Sequence, residues 1–222
     1  MYNMIMKLYT YPICPISNKF KILFKRADLN IEVIPIISKK QVEKFSNINF
    51  HFFPILESDN RNFVGFSTIK NFLYKNVPNK YLTEWIENDS VHYYEEFFDT
   101  NMFFDVYKPI IFEKTQKLLI DNNYFPDQNI IKSSLKNMDF YLNTIENLLT
   151  RSNWINSQET INDFSLFSHL ASLDYCFYMP WNQYPNIKEW YRRNKSKEVY
   201  NFILKNRIIN FSPTKFYEEI DF

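Results

Sequence analysis

Glycine is almost absent from this chain of 222 residues, which contains Gly65 and no other glycine, whereas average usage is about 7%. Phosphate-binding loops, dinucleotide-binding turns and the nucleophile elbow of hydrolases each need several glycines, because their backbone turns sharply or approaches a ligand closely. The sequence therefore excludes these three kinds of site.

Cysteine and unbalanced charge are also scarce. Cys14 and Cys176 are the two cysteines, and 26 basic residues face 25 acidic ones for a net charge of +1. The pattern predicts a reduced protein with no disulfide framework, no basic footprint for nucleic acid and no attraction to anionic membranes. No stretch approaches about 20 consecutive apolar residues, and the first residues lack the apolar run of a signal peptide. We therefore expect a cytoplasmic protein without membrane insertion.

The histidines of the chain do not suggest a metal site. His51, His92 and His169 are scattered along the chain, so no metal is expected. We interpret His169 as a hydrogen-bonded core residue, since it lies within an apolar helical pattern. His92 with Glu95 and Glu96 is better explained as a solvated helix face than as an acid/base cluster.

The first third of the chain alternates strand and helix. Apolar patterning predicts a strand over 6–11, a helix over 17–26 with its lysines opposite the apolar face, and a second strand over 31–37. This is a βαβ unit with a parallel pair. Residues 52–62 predict a hairpin on the sheet edge, and 67–74 a further helix. We assign residues 1–76 to one domain and 77–80 to a linker.

The remainder is almost wholly helical. Residues 81–210 predict a helical bundle, with Pro109 as a kink or a break between helices. Its central helix begins at Thr160, which forms a capping box with Asp163 and is followed by apolar residues on most faces. Residues 211–222 form a tail that mixes aromatic rings with acids. Its rings can dock on the chain's own surface while its carboxylates face a partner.

The helix from Thr160, followed by Pro180, Trp181 and the segment IKEWYRRNKS, resembles the C-terminal domain of the glutathione-transferase family. The first third resembles the family's thioredoxin-like domain. The resemblance implies an α/β thioredoxin-like domain plus an all-α helical-bundle domain. It also implies an alternative function, a glutathione-dependent transferase or thiol reductase. Its catalytic residue would be Cys14 or Ser17, and its glutathione site would include Phe53, Pro54 and Ser67.

Three observations bear on that alternative. The acid that the family places before Ser67 is replaced by Phe66, a loss of about 1.5–3 kcal/mol for a charge-assisted bond to the glutathione amine. The loop 47–53 carries three phenylalanines, whose rings we expect to fill the cleft or to form a surface for something larger. Cys14 has two interpretations: a thiolate favoured by the start of a helix, or a small, half-buried apolar residue. We expect no catalytic residue and no cofactor.

Four segments resemble a narrower group: YKPIIFEKTQKLL, RSNWINSQETINDFSLFSHLASLDY, PWNQYPNIKEWYRRNKSK and the terminal FYEEIDF. They are similar to FzlA-type proteins, bacterial glutathione-transferase-like factors that bind the tubulin-like division protein FtsZ. The resemblance implies a non-catalytic homodimer that binds FtsZ filaments, modulates cell division and concentrates at the division site. It also implies that Glu113, Glu219 and Asp221 face the partner.

Overall fold

The computed structural model describes residues 6–45, 54–117, 123–214 and 217–219, with the side chains of Lys39 and Val42 left out of the description. The first part holds a four-stranded sheet of order β2-β1-β3-β4. Its elements are β1 Met6–Thr10, α1 Pro15–Arg26, β2 Glu32–Pro35, α2 Lys39–Glu43, β3 Ile55–Ser58, β4 Arg61–Val64 and α3 Phe66–Asn76.

The sheet confirms the predicted topology. Strand β1 pairs with β2 in parallel, with Leu8 opposite Val33, and with β3 in antiparallel, with Leu8 opposite Leu56. Strands β3 and β4 form the expected hairpin at the sheet edge. Asp59 and Asn60 make its turn with φ values of 49° and 60°, which is the left-handed pair that a two-residue hairpin loop requires.

The second part is helical. It contains α4 Lys80–Glu87, a long helix α5, α6 Gln128–Leu149, α7 Ile161–Tyr175, α8 Pro185–Lys195 and α9 Glu198–Asn201. Helix α5 is continuous through four stretches, Asp89–Glu95, Glu96–Tyr107, Lys108–Ile111 and Phe112–Gln116. Short 3₁₀ turns cover Trp181–Gln183 and Phe202–Lys205.

Helix α7 lies at the centre of the molecule and confirms the predicted cap. The side chain of Thr160 accepts from the backbone N–H of Asn162, and Asp163 accepts from the backbone N–H of Thr160 at 2.9 Å. Every residue of α7 is buried, and the helix packs along α1 of the first part. One continuous core therefore joins the sheet to the bundle.

Pro109 does not break α5, so that part of the prediction was wrong. The backbone stays helical from Tyr107 to Phe112. The turns on either side are wide: Lys108 N–H donates to the carbonyl of Phe103, and Lys117 N–H to that of Phe112, five residues back in each case. These π-type turns carry the helix past a residue that has no N–H to donate.

The start of the tail is pinned to α7. The hydroxyl of Tyr175 accepts from Ile208 N–H at 3.0 Å and donates to the Phe211 carbonyl at 2.6 Å. Tyr217 is buried edge-on against Tyr175, with ring centroids 5.2 Å apart, while Glu218 is exposed and pairs with an arginine. In the described tail residues the ring thus docks inward and the carboxylates lie outside. Among all described residues, no helix has the length and apolar character needed to cross a bilayer.

Candidate functional site

A cavity of about 290 Å³ opens at the start of α3, between the sheet domain and α5. It is bordered by Gly65, Phe66 and Ser67 on one side and by Asp99 and Phe104 on the other. Gly65 has a φ of 79° and its N–H donates to the Pro54 carbonyl at 3.0 Å. The first-turn N–H groups of an α-helix have no partner within that helix. The start of α3 therefore presents donors at this cavity.

Phe66 stands where the glutathione-transferase family has an acidic residue, and its ring covers a buried lysine. Phe66 packs against Trp85, with ring centroids 5.6 Å apart. The ammonium of Lys19 lies 4.9 Å from the centre of the Phe66 ring and 4.4 Å from that of Trp85. The two rings thus cover a buried cation, which they attract through their electron-rich faces. Phe66 supplies no charge to a ligand amine.

Behind Phe66 lies a buried polar cluster formed by Lys19, Asp99, Ser165 and His169. Lys19 and Asp99 make an ion pair with side chains 0% and 1% exposed, and Ser165 donates to the same carboxylate at 3.0 Å. Burial raises the pKa of Asp99, but opposing interactions, led by that with the adjacent Lys19 ammonium, lower it by more, so the net shift is downward. Asp99 therefore stays ionised.

His169 is buried beside that carboxylate, with its Nε2 3.7 Å from Asp99 Oδ1. Neither ring nitrogen has a hydrogen-bond partner among the described residues, so the prediction of a hydrogen-bonded histidine was wrong while its core location was right. Burial lowers the pKa of His169, which keeps the ring neutral near pH 7. Within the described ranges, no group of His, Cys, Asp and Glu has the arrangement of a metal site.

The cluster was missed because the lysines of α1 were expected on a solvent-facing side of that helix. Lys19 is 0% and Lys21 6% exposed. The Lys19 ammonium contacts Asp99 of α5 and the rings of Phe66 on α3 and Trp85 on α4. Burial lowers the pKa of Lys21 to about 8. The amphipathic pattern of a single helix gives no sign that helices later in the chain cover its polar residues.

Cys14 and Ser17 lie next to the cavity region but beneath the surface, 3% and 0% exposed. Burial raises the pKa of the Cys14 thiol, and Ser17 with nearby backbone N–H groups and Lys21 offsets this only in part. The expectation that the helix start lowers the pKa of Cys14 is therefore wrong, because desolvation of the thiolate dominates. The residue fits the interpretation as a small apolar group, and it is more deeply buried than expected.

The predicted glutathione residues are only partly brought together. Ser67 is exposed at the cavity and Pro54 is buried behind Gly65. Phe53 and the rest of the loop 47–53 lie outside the described residues. A carboxylate, Asp99, borders the cavity beside Ser67. The loop whose rings are expected to fill the cleft is not described, so that expectation stays a prediction. The volume of the cavity is near the lower end of the ~300–1,000 Å³ typical of small-molecule sites.

The three acids predicted to face a partner have different outcomes in the structure. Glu113 is 2% exposed: it accepts from Lys117, from the Tyr124 hydroxyl and, at 2.9 Å, from the N–H of Asp127. These bonds tie α5 to the start of α6, so a direct partner contact by Glu113 does not fit its burial. Glu219 is exposed, and Asp221 lies outside the described residues.

The helix face around His92 also differs from its prediction. His92 and Glu96 are exposed as expected, but Glu95 is buried. Its carboxylate accepts from Lys70 Nζ at 2.9 Å and from the Trp85 indole N–H. These contacts join α5 to α3 and α4 across the domain boundary. Glu95 is therefore a structural acid and not part of a solvated face.

The whole arrangement is the glutathione-transferase fold, and this confirms the predicted fold class. The structure superposes on a glutathione S-transferase from Sinorhizobium meliloti 1021 with a TM-score of 0.83 and 22% identity, over 98% of this chain and 100% of that one. A glutathione S-transferase from Rhodospirillum rubrum F11 gives 0.81 and 23%, over the same shares of the two chains. Identities this low establish the fold alone.

A more particular similarity is to FtsZ-localized protein A of Caulobacter vibrioides (strain NA1000 / CB15N). This chain is 27% identical to it over 128 residues, 57% of this chain and 56% of that protein. The match thus spans a little over half of the relative's length. The solved structure of FzlA from C. crescentus gives a TM-score of 0.79 at 20% identity, over 98% of this chain and 100% of that chain. No known family profile matches the chain.

Proposed function

We propose that this protein is a non-catalytic scaffold of the glutathione-transferase fold that binds FtsZ filaments and modulates cell division. The observation that carries the proposal is the similarity to FtsZ-localized protein A over 128 residues, supported by the full-length superposition on FzlA. The proposal includes concentration of the protein at the division site, where its partner assembles.

The chemistry at the start of α1 supports a non-catalytic role. A nucleophilic cysteine needs access and a stabilised thiolate, but Cys14 is 3% exposed and burial raises its pKa. Ser17, the other candidate, is completely buried. Neither side chain is placed to attack an electrophile or a disulfide.

A homodimer is part of the proposal, since two copies of one binding surface can bridge or bend a filament without chemistry. Exposed aromatic rings on α5 and α6 support it. Tyr93 is 68% and Phe140 65% exposed, and the two helices meet where Phe97 packs against Tyr141, with ring centroids 5.2 Å apart. Aromatic side chains are enriched at protein interfaces.

Co-sedimentation with FtsZ polymers formed in GTP tests the proposal. The wild-type protein should pellet with polymers and stay in the supernatant without them. Glu219→Lys should weaken binding by about tenfold if this exposed tail carboxylate meets the partner. Glu43→Lys, which reverses an equally exposed charge on α2, is the matched control and should bind like the wild type. Absence of the wild-type protein from the polymer pellet would refute the proposal.

The open cavity favours one alternative, a glutathione-dependent transferase or thiol reductase. Ser67 and the N–H groups at the start of α3 can donate hydrogen bonds to a ligand carboxylate, and Asp99 borders the same cavity. Asp99 is already paired with Lys19 and Ser165, so a ligand amine would compete with an internal cation.

A fluorescence titration separates the two functions. Trp85 contacts Phe66 at the cavity edge, so tripeptide binding there should change its emission. The scaffold proposal expects no change at millimolar glutathione and no retention on immobilised glutathione. Retention that Ser67→Ala abolishes would establish the alternative.

A further inference from the structure

Phe177 has a backbone conformation that phenylalanine rarely adopts. It follows α7 with a φ of 68°, at a helix end where Tyr178 N–H donates to the Leu173 carbonyl at 3.0 Å. This left-handed position is usually filled by glycine or asparagine. For a bulky residue it is a strained outlier that needs an explanation.

The scarcity of glycine does not explain the choice. At the other described positions with positive φ, the chain has its glycine or a small polar residue that tolerates the conformation: Asp28, Asp59, Asn60, Gly65, Ser157 and Asn210. Asparagine is thus used elsewhere for the same backbone. At this helix end the chain instead carries an aromatic ring at the cost of strain.

Burial does not explain the ring either. Phe177 is 56% exposed, and among the described tail residues its ring meets Phe211 edge-on, with ring centroids 6.3 Å apart. A ring held in water on a strained backbone contributes little to folding. Strain of this kind is found mainly at sites of function.

Phe177 stands between two surface cavities. One has a volume of about 510 Å³ and extends to Trp181 and the tail residue Thr214. The other, about 460 Å³, extends to Leu135 and Met138 of α6. Both are bordered by Phe177, Met179, Pro180 and Gln183. We call Phe177, its two cavities and their rims the Phe177 surface.

The rims carry more accessible positive than negative charge. Lys136 borders one cavity and Lys188 the other, and Lys114 lies over the Tyr178 ring at 5.1 Å. Of the two acids, Asp139 is exposed beside Lys136, and Asp174 is buried, accepting from the Trp181 indole N–H at 3.2 Å. The charge therefore complements an acidic partner.

We propose that the Phe177 surface is the docking site for the FtsZ polymer, through an acidic segment of the polymer that places one apolar side chain in each cavity on either side of the Phe177 ring. The inference rests on the proposed function and adds the surface and the chemistry of contact. Aromatic anchors beside pockets are the usual centres of binding energy.

Phe177→Asn tests the inference without damaging the fold. Asparagine suits a left-handed helix end, so the variant should unfold about 2–4 °C higher than the wild type if it relieves about 1 kcal/mol of strain. Loss of the ring should weaken co-sedimentation with FtsZ polymers by about tenfold or more. A second variant, Lys136→Glu, should also weaken binding and reduce its sensitivity to salt.

Phe125→Asn is the matched control, because Phe125 is 86% exposed and borders neither cavity. It should bind FtsZ polymers like the wild type. If the wild type does not bind at all, both proposals fall. If the wild type binds and Phe177→Asn binds equally, the docking site is refuted while the FtsZ proposal stands. If Phe177→Asn instead dissociates a dimer, a second copy covers this surface and the inference is wrong.

Discussion

The cleft beside Ser67 and the Phe177 surface are both concave, but their side chains are used in opposite ways. In the cleft, the charged groups bind one another: Asp99 pairs with Lys19, and the Phe66 ring covers that lysine. At the Phe177 surface, a large ring is held in water on a strained backbone. In the cleft, charged groups that could bind a ligand stabilise the fold instead. At the Phe177 surface, a strained backbone lowers stability and leaves a ring exposed.

The largest expected effect concerns the buried ion pair of Lys19 and Asp99 beside the cleft. Asp99→Ala leaves the Lys19 ammonium buried without its carboxylate, which should cost about 3–5 kcal/mol of unfolding free energy. The double variant Lys19→Met, Asp99→Leu should recover most of that loss, because it removes both charges. Urea denaturation of the three proteins measures the difference.

A matched control for that experiment is the exposed pair of Arg192 and Glu189 on α8, joined at 3.0 Å. Glu189→Ala should change stability by less than about 1 kcal/mol, because exposed ion pairs contribute little. A loss of similar size for both single variants would mean that Asp99 is not the structural acid described here.

The parts of the fold that local patterns determine were predictable from the sequence. The βαβ unit, the Asp59–Asn60 hairpin turn and the Thr160–Asp163 capping box each depend on residues close in sequence. The burial of Lys19 was not predictable, since Phe66, Trp85 and Asp99, which contact it, lie far along the chain. The exposure of Phe177 was not predictable either, because its residue type opposes the conformation that it adopts.

The candidate sites divide in the same way. Ser67 could be assigned through the resemblance to the glutathione-transferase family, whose pattern has a serine at this position. Glu113 was assigned to a surface from the resemblance and Glu95 from a helix pattern. Neither source shows that Glu113 binds Lys117 and the start of α6, or that Glu95 binds a lysine of α3. Phe53 lies outside the described residues, so its part in a glutathione site stays a prediction.

A pH titration of stability tests the burial of Asp174, which borders the Phe177 surface. Burial raises the pKa of Asp174 to about 6, above an unfolded value of about 3.9. The folded state then binds the proton more tightly, so ionisation costs stability, and unfolding free energy falls as pH rises from about 4 to about 6. Between about pH 4 and 7 the wild type should lose about 2 kcal/mol relative to Asp174→Asn.

Thermal or urea unfolding at a series of pH values measures this difference. Asp163, whose pKa burial raises to about 7, is present in both proteins, so its contribution cancels in the comparison. A constant difference between wild type and Asp174→Asn across the range would show that Asp174 titrates normally and is less desolvated than its 8% exposure indicates.

The smallest expected effect concerns the cysteines, and it bears directly on whether the cleft performs chemistry. Both thiols are buried, and burial raises the pKa of each. A thiol-labelling reagent at pH 7 should therefore modify neither cysteine in the native protein and both after denaturation. Cys176→Ala, which leaves Cys14 alone, should remain unlabelled while native and should co-sediment with FtsZ polymers like the wild type. Rapid labelling of Cys14 in that variant would show a thiolate exposed to the cleft, and the thiol-dependent alternative would then explain this region better than a scaffold does.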